Sequence, residues 1–211
     1  MAPILQVVVA GWTGRDRDGL ETHIRELEDL GVPRPAAMPI YYRVSAARAT
    51  VASRIQASGA RSSGEVEFVL AQWEGRLWVG VGSDHTDREV AAYNVTVSKQ
   101  MCDKPIAPEF WSFEEIADHW DALVLRSFVH ENGQRLLYQE GSVSTMLDPA
   151  VLIDGYCGEF GLPEGSLMLC GTLAAKGGIR PADRFEYEIE DPVLNRKIHH
   201  AYHIVSLPAV G

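Results

Sequence analysis

A β-rich α+β fold, mostly β, is what this chain of 211 residues predicts. Three observations lead there. Short apolar runs recur along most of the chain, Glu74-Gly75 and Asn132-Gly133 mark tight turns between neighbouring runs, and few segments carry helical periodicity. No internal repeat, low-complexity tract or linker interrupts the pattern.

The opening run through Ala10 is apolar, lacks a basic leader and is far too short to span a membrane, so it reads as a first strand. Residues 18–30 begin acid-rich, place Leu20, Ile24, Leu27 and Leu30 at helical spacing, and stop at Gly31 with Pro33 beyond, which makes an amphipathic helix. Strands are expected at Ile40–Val44 and over residues 65–71, 77–81 and 93–98, with Glu74-Gly75 setting the first hairpin. Ser112 followed by Glu115 has the spacing of a capping box and starts a helix to about His119. Residues 120–129 form a strand, Asn132-Gly133 folds it back onto 136–139, and Asp148 opens a short helix to Tyr156. Strand-like segments at 167–170, 184–189 and 199–207 complete the chain.

Composition narrows the function. The net charge is −10 with no run of Lys or Arg, so a phosphate backbone would be repelled over most of the surface and nucleic acid is excluded as a partner. Three cysteines, Cys102, Cys157 and Cys170, sit at scattered spacings that give no disulfide framework and fit a reducing cytoplasm.

The chemistry gathers in two places. Glu65 and Glu67 stand at i and i+2 of a strand, so both carboxylates leave the same face. Asp84 opens a polar loop after the apolar strand at 77–81, and three such oxygen donors suit a hard divalent cation, Mg²⁺ or Mn²⁺ before Zn²⁺. A solvent-facing Glu-x-Glu on an edge strand is the ordinary alternative for the first pair taken alone. On the helix, His23 and Glu26 are i and i+3, close enough to hydrogen-bond, although exposed pairs at this spacing are common. Elsewhere, His199 and His203 share a strand face from which His200 points away, too few ligands to complete a zinc site. His119-Trp120-Asp121 reads as an element edge, Cys102 as packing rather than a nucleophile, and Gly177-Gly178 lacks the Lys-Ser/Thr of a P-loop.

These motifs also follow one another in a familiar order. His23-Ile24-Arg25-Glu26, the Pro39-led strand, Glu65-Val66-Glu67, Asp84 with Arg88, Ser98-Lys99 before Pro105 and Pro108, Asn132-Gly133 with Gln139-Glu140-Gly141 leading to Met146, and Gly171-Thr172 before Gly177-Gly178 resemble the fumarylacetoacetate hydrolase superfamily over about residues 20–191. Three departures stand out: a short turn between the Glu-x-Glu strand and Asp84, Glu89 and Ala91 where the family often has Asp and Gln, and Arg43 near the place of a common Lys.

The resemblance implies a mixed β-sandwich roll, commonly a homodimer, as one domain over 1–211, with 1–60 giving the first strand, dyad helix and lid and 61–211 the core. It implies metal ligation by Glu65, Glu67 and Asp84, catalysis by His23, Glu26 and Lys99, and substrate contacts from Arg88, Gln139 and Thr172. A cation held there leaves positions for a bidentate oxo acid or 1,3-dicarbonyl compound, whose metal-bound enolate serves C–C hydrolysis, decarboxylation or tautomerisation alike. Glu26 would orient His23 as general base, while Lys99 and Arg88 supply positive charge. The rival readings are a non-catalytic β-rich protein that binds a cation or small ligand, and a zinc hydrolase built on the C-terminal histidines.

Overall fold

The computed structural model describes residues 3–29, 34–131 and 133–210. In chain order the first elements are β1 (Gln6–Gly11), α1 (Arg17–Asp29), β2 (Ile40–Val44), β3 (Ala49–Thr50), β4 (Arg54–Ser58) and β5 (Ser62–Ser63). The middle holds β6 (Val66–Trp73), β7 (Arg76–Ser83), β8 (Thr86–Asp87), α2 (Arg88–Ala91), α3 (Val95–Met101), β9 (Lys104–Pro105), β10 (Trp111–Ser112) and α4 (Phe113–Ile116). The last are β11 (Val124–Glu131), β12 (Gln134–Ser142), α5 (Pro149–Cys157), β13 (Ser166–Leu169), β14 (Arg184–Asp191) and β15 (Arg196–Leu207). The expected mostly-β α+β architecture is present.

Two sheets carry the molecule. One runs β10-β7-β6-β13-β1-β2, the other β12-β11-β14-β15-β4, with small β3-β9 and β5-β8 pairs beside them. Because alternate side chains leave opposite faces, Val8, Phe68, Leu70, Val79, Val81 and Met168 of the first sheet enter the core shared with the second. Val7, Val9, Val69, Ala71, Leu167 and Leu169 enter a separate core behind it. The first sheet is therefore buried on both faces, which is why its strands read as unbroken apolar runs rather than alternating ones. The second sheet is one-sided: along β11, Leu125, Ser127 and Val129 are buried while the residues between them are half-exposed. Each fully buried aliphatic or aromatic side chain in such a core stabilises the fold by about 1.5–3 kcal/mol.

The hairpin β6-β7 turns at Glu74 and Gly75, both at positive φ (55° and 71°), the paired left-handed geometry whose twist matches its strands. Its register sets Glu67 opposite Gly82 and Val66 opposite Ser83, so the end of β7 lies beside the start of β6.

Three local expectations are corrected. Residues 93–98 are not a strand: α3 occupies Val95–Met101, where the Asn94 side chain accepts a hydrogen bond from Val97 N at 3.0 Å. The cap and the burial of Ser98 and Lys99 outweigh the strand preference of Val95 and Val97. Ser112 does precede a helix, but its side chain makes no capping bond, so the capping box is not formed. Trp120 lies in a 3₁₀ turn rather than a strand, set edge-on to Phe68 with ring centroids 5.0 Å apart, and the strand starts only at Val124.

Candidate metal centre and its cleft

Glu65 and Glu67 bracket the first residue of β6, and the antiparallel partner β7 delivers Asp84, whose N–H donates to Glu65 O at 3.0 Å. The carboxylates of Glu65, Glu67 and Asp84 present oxygens within 4.8 Å of one another. Asp84 is 0% exposed and Glu67 2%. At this spacing each like-charged pair repels by roughly 3 kcal/mol with an effective dielectric of about 20. The fold therefore holds together a charge cluster whose repulsion has to be offset.

Part of that compensation comes from the chain. Lys99 forms an ion pair with Asp84 Oδ2, and Lys104 Nζ lies 3.2 Å from Asp84 Oδ1. Burial pushes the Asp84 carboxyl up, but Lys99 and Lys104 outweigh it and hold it well below the usual carboxylate range. The opposite happens next door: burial, then the Asp84 charge, raise the Glu67 carboxyl well above its ordinary value, against Lys99 and a hydrogen bond from Gly171 N at 2.8 Å. Burial lowers the Lys99 ammonium, yet Asp84, Glu65 and Glu67 raise it further.

The residues fit a hard divalent ion. All three donors are carboxylates, and Asp84 Oδ1 is buried, accepts no well-aligned hydrogen bond among the described residues, and has Lys104 Nζ 3.2 Å away. Gly171 is required beside them: its φ is +98°, and an added Cβ would lie 1.8 Å from Thr13 Oγ1.

Glu65 and Glu67 line a cleft of about 540 Å³ walled also by Trp12, Tyr42, Leu20, Arg88, Lys99 and Thr172, a volume suited to a small organic ligand, with Asp84 buried behind them. Trp12 stands at φ 57°, an uncommon left-handed backbone for an aromatic residue. Lys99 also lies 5.5 Å from the Tyr42 ring centroid.

The other sequence-singled residues fall as follows. Arg88 lines the cleft, with NH1 3.2 Å from Glu65 Oε1 and Nε donating to Ser63 Oγ at 2.7 Å. Thr172 lines it too, its hydroxyl donating to Val66 O at 2.7 Å. Gln139 is 1% exposed and reaches the cleft through Thr172: its amide N donates to Thr172 Oγ1 (2.8 Å) and Leu173 O (2.6 Å). Its carbonyl accepts from Val66 N (3.0 Å) and Ser127 Oγ (2.8 Å). A register shift between Ser127 and Phe128 opposite β12 buries Tyr138 and Gln139 together, the re-aiming that a β-bulge provides. His23 and Glu26 lie on the α1 backbone as expected, but their side chains lie outside the described residues.

Two participants were missed. Lys104 is 0% exposed and donates to His85 O at 2.6 Å and Cys102 O at 3.2 Å. His85 is buried with both ring nitrogens engaged, by Tyr202 Oη at 2.8 Å and Ser62 Oγ at 2.9 Å. Burial, with Lys104 and Arg88 adding to it, pushes the His85 imidazole down to about 3, so it is a neutral strut rather than a base. The only cue in the sequence was their closeness to Asp84 and Pro105, and burial of a lysine is not written in its neighbours.

The remaining candidates are structural. His119 Nε2 bonds Asp191 at 3.0 Å and Asp121 pairs with Arg15. Burial raises the Cys102 thiol, which disfavours the nucleophilic thiolate. Among the described residues the acidic triad forms the carboxylate, thiol or imidazole cluster of metal-binding size, and the C-terminal histidines do not join one. His199 sits 3.8 Å from Glu186 on the second sheet. The zinc reading therefore loses its site.

Comparison with known proteins places this architecture. A family model described as "Protein of unknown function (DUF2848)" matches residues 10–202. The chain belongs to the DUF2848 family. No curated protein sequence matches it significantly. Among solved structures it is similar to Cg1458 (TM-score 0.68, 17% identity, covering 98% of this chain and 78% of that one). It is also similar to yeast ynq8, a fumarylacetoacetate hydrolase family protein (TM-score 0.67, 19% identity, 97% and 94% covered). A third is a 2-keto-3-deoxy-D-arabinonate dehydratase complexed with magnesium and 2,5-dioxopentanoate (TM-score 0.66, 15% identity, 97% and 75% covered). This DUF2848 member thus has the fold expected from its motifs, that of fumarylacetoacetate hydrolase family proteins. Among its described residues no helix is long and apolar enough to cross a membrane.

Proposed function

We propose that the chain is a divalent-cation-dependent enzyme of the hydrolase or lyase type, acting on a small oxo acid or 1,3-dicarbonyl compound. Hydrolysis of a C–C bond is the favoured reaction, and decarboxylation or tautomerisation would draw on the same groups. The observation that carries this reading is the cluster of Glu65, Glu67 and Asp84 carboxylates, two of them buried, at the wall of an open cleft that Glu65, Glu67 and Lys99 line. The magnesium and dioxo compound in the similarly folded dehydratase support the same chemistry.

In this reading Glu65, Glu67 and Asp84 hold Mg²⁺ or Mn²⁺, which supplies an electrophile for the substrate's oxygens. Lys99 lines the cleft and places its ammonium where negative charge gathers on the substrate. Thr172, held by Gln139, shapes the far wall. His23, oriented by Glu26, takes a proton from water; position 23 lies one helical turn after Leu20, which lines the cleft. A homodimer in the cytoplasm belongs to the same proposal.

The experiment is a calorimetric Mn²⁺ titration beside turnover on a panel of 2-oxo acids. The expected result is Mn²⁺ binding in wild type and His23→Ala, with turnover in His23→Ala about 10²-fold lower. Undiminished turnover in that variant rejects His23 as the base, and wild-type protein that ignores Mn²⁺ rejects the whole reading.

A further inference from the structure

Beside the cleft lies a second pocket of about 480 Å³, lined by Arg61, Arg88, Ala91, Ile179, Arg180 and Pro181. Arg88 and Ala91 line both spaces, so the two pockets adjoin at these residues. In a chain of net charge −10, this pocket has three arginines and no carboxylate in its wall.

The three arginines differ in what they already hold. Arg88 is committed to Ser63 and Glu65. Arg180 is fixed: it pairs with Glu131, donates to Lys176 O at 2.9 Å and Gly178 O at 3.1 Å, and lies 5.0 Å from the Tyr138 ring centroid. Arg61 is exposed, and its guanidinium has no hydrogen-bond or ion-pair partner among the described residues. Its backbone is nonetheless anchored, because Arg61 O accepts from Arg88 N at 2.9 Å and β5 pairs directly after it with β8. A fixed backbone with a free planar fork, beside two further guanidinium groups, is suited to an oxyanion.

We propose that this pocket is a second anion subsite, in which Arg61 takes the far carboxylate or phosphate of an oxo acid whose near end lies at the metal cleft. The inference rests on the oxo-acid reading of the cleft and extends it: the substrate is anionic at both ends, with a short spacer passing along Arg88.

The test compares ligands of equal length on Mn²⁺-loaded protein by calorimetry at fixed ionic strength: 2-oxohexanoate, 2-oxoadipate and 5-phosphono-2-oxopentanoate, with oxalate as probe of the near end alone. At least one of the two dianions should bind about tenfold or more tightly than 2-oxohexanoate, as a charge-assisted contact provides. The tighter of the two identifies the group. That ratio should fall to about one in Arg61→Ala and persist in Arg76→Ala, which removes the same charge at the opposite end of β7 from Asp84. Oxalate binding without any preference for a dianion, or a preference that survives Arg61→Ala, overturns the subsite alone. No oxalate binding to the loaded wild type overturns both the subsite and the reading on which it rests.

Discussion

Glu67 concentrates the electrostatic conflict of the site in one carboxyl. It is buried, faces Asp84 and Glu65, and its charged form is penalised by both burial and like charge, while its oxygen still accepts from Gly171 N. Glu67→Gln keeps an acceptor for that N–H and removes the repelling charge. Metal-free Glu67→Gln should melt at or above the wild-type temperature, and the rise in melting temperature that Mn²⁺ produces in wild type should vanish. Thermal melts in EDTA and in Mn²⁺ check both halves; a variant that still gains stability from Mn²⁺ places the ion elsewhere. His85 makes the complementary point. A histidine beside Asp84 invites a catalytic role, yet its two satisfied nitrogens and depressed basicity make it part of the scaffold.

At the scale of elements, the short helix α3 decides where Lys99 goes. A strand over 93–98 would have alternated its side chains, whereas one helical turn after the Asn94 cap buries Ser98 and Lys99 side by side and sets Lys99 on Asp84. The Asn94 carboxamide satisfies an amide that the first turn leaves unpaired. Asn94→Ala should therefore destabilise the protein by about 1 kcal/mol in urea denaturation. Because α3 carries Lys99, the same variant should also lower turnover on any oxo acid found to be a substrate. The expected loss of stability with unaltered turnover would separate the cap from the site. The hairpin β6-β7 has the opposite character: its turn residues were legible, and its register alone brings Glu67 and the Asp84 segment together.

Across the whole molecule the second sheet closes the core, and its outer face is held by charge rather than by apolar contact. Glu186 on β14 is the centre of that face, accepting from His130 Nε2 at 2.7 Å and Arg135 Nε at 2.7 Å. Burial pushes its carboxyl up, but the bonds from Arg135 and His130 prevail and hold it at about 2. A carboxyl depressed in the folded state stabilises the fold fully above its unfolded pKa of about 4.3, and that contribution fades as pH falls toward about 2. Glu186→Gln should be less stable than wild type at pH 7, and the difference should narrow steadily below pH ~4. Urea midpoints across that range measure it. A gap that stays constant with pH would show that Glu186 acts through packing and not through its charge.

Residue identity and spacing alone determined the mostly-β class, the amphipathic helix over α1, both hairpin turns and the three carboxylates of the triad. These follow from local rules: side-chain period, turn chemistry and the oxygen donors themselves. The tertiary structure alone decided what surrounds them. It placed Lys104 against Asp84 from 20 residues further along the chain, made α3 a helix despite its β-branched residues, and turned Gln139 inward at a bulge to hold Thr172. It also left the Arg61 guanidinium without a partner among the described residues, beside Arg88 and Arg180. Burial, ion-pair partners and bulges depend on which distant segments meet, and no local pattern of residue types encodes that meeting.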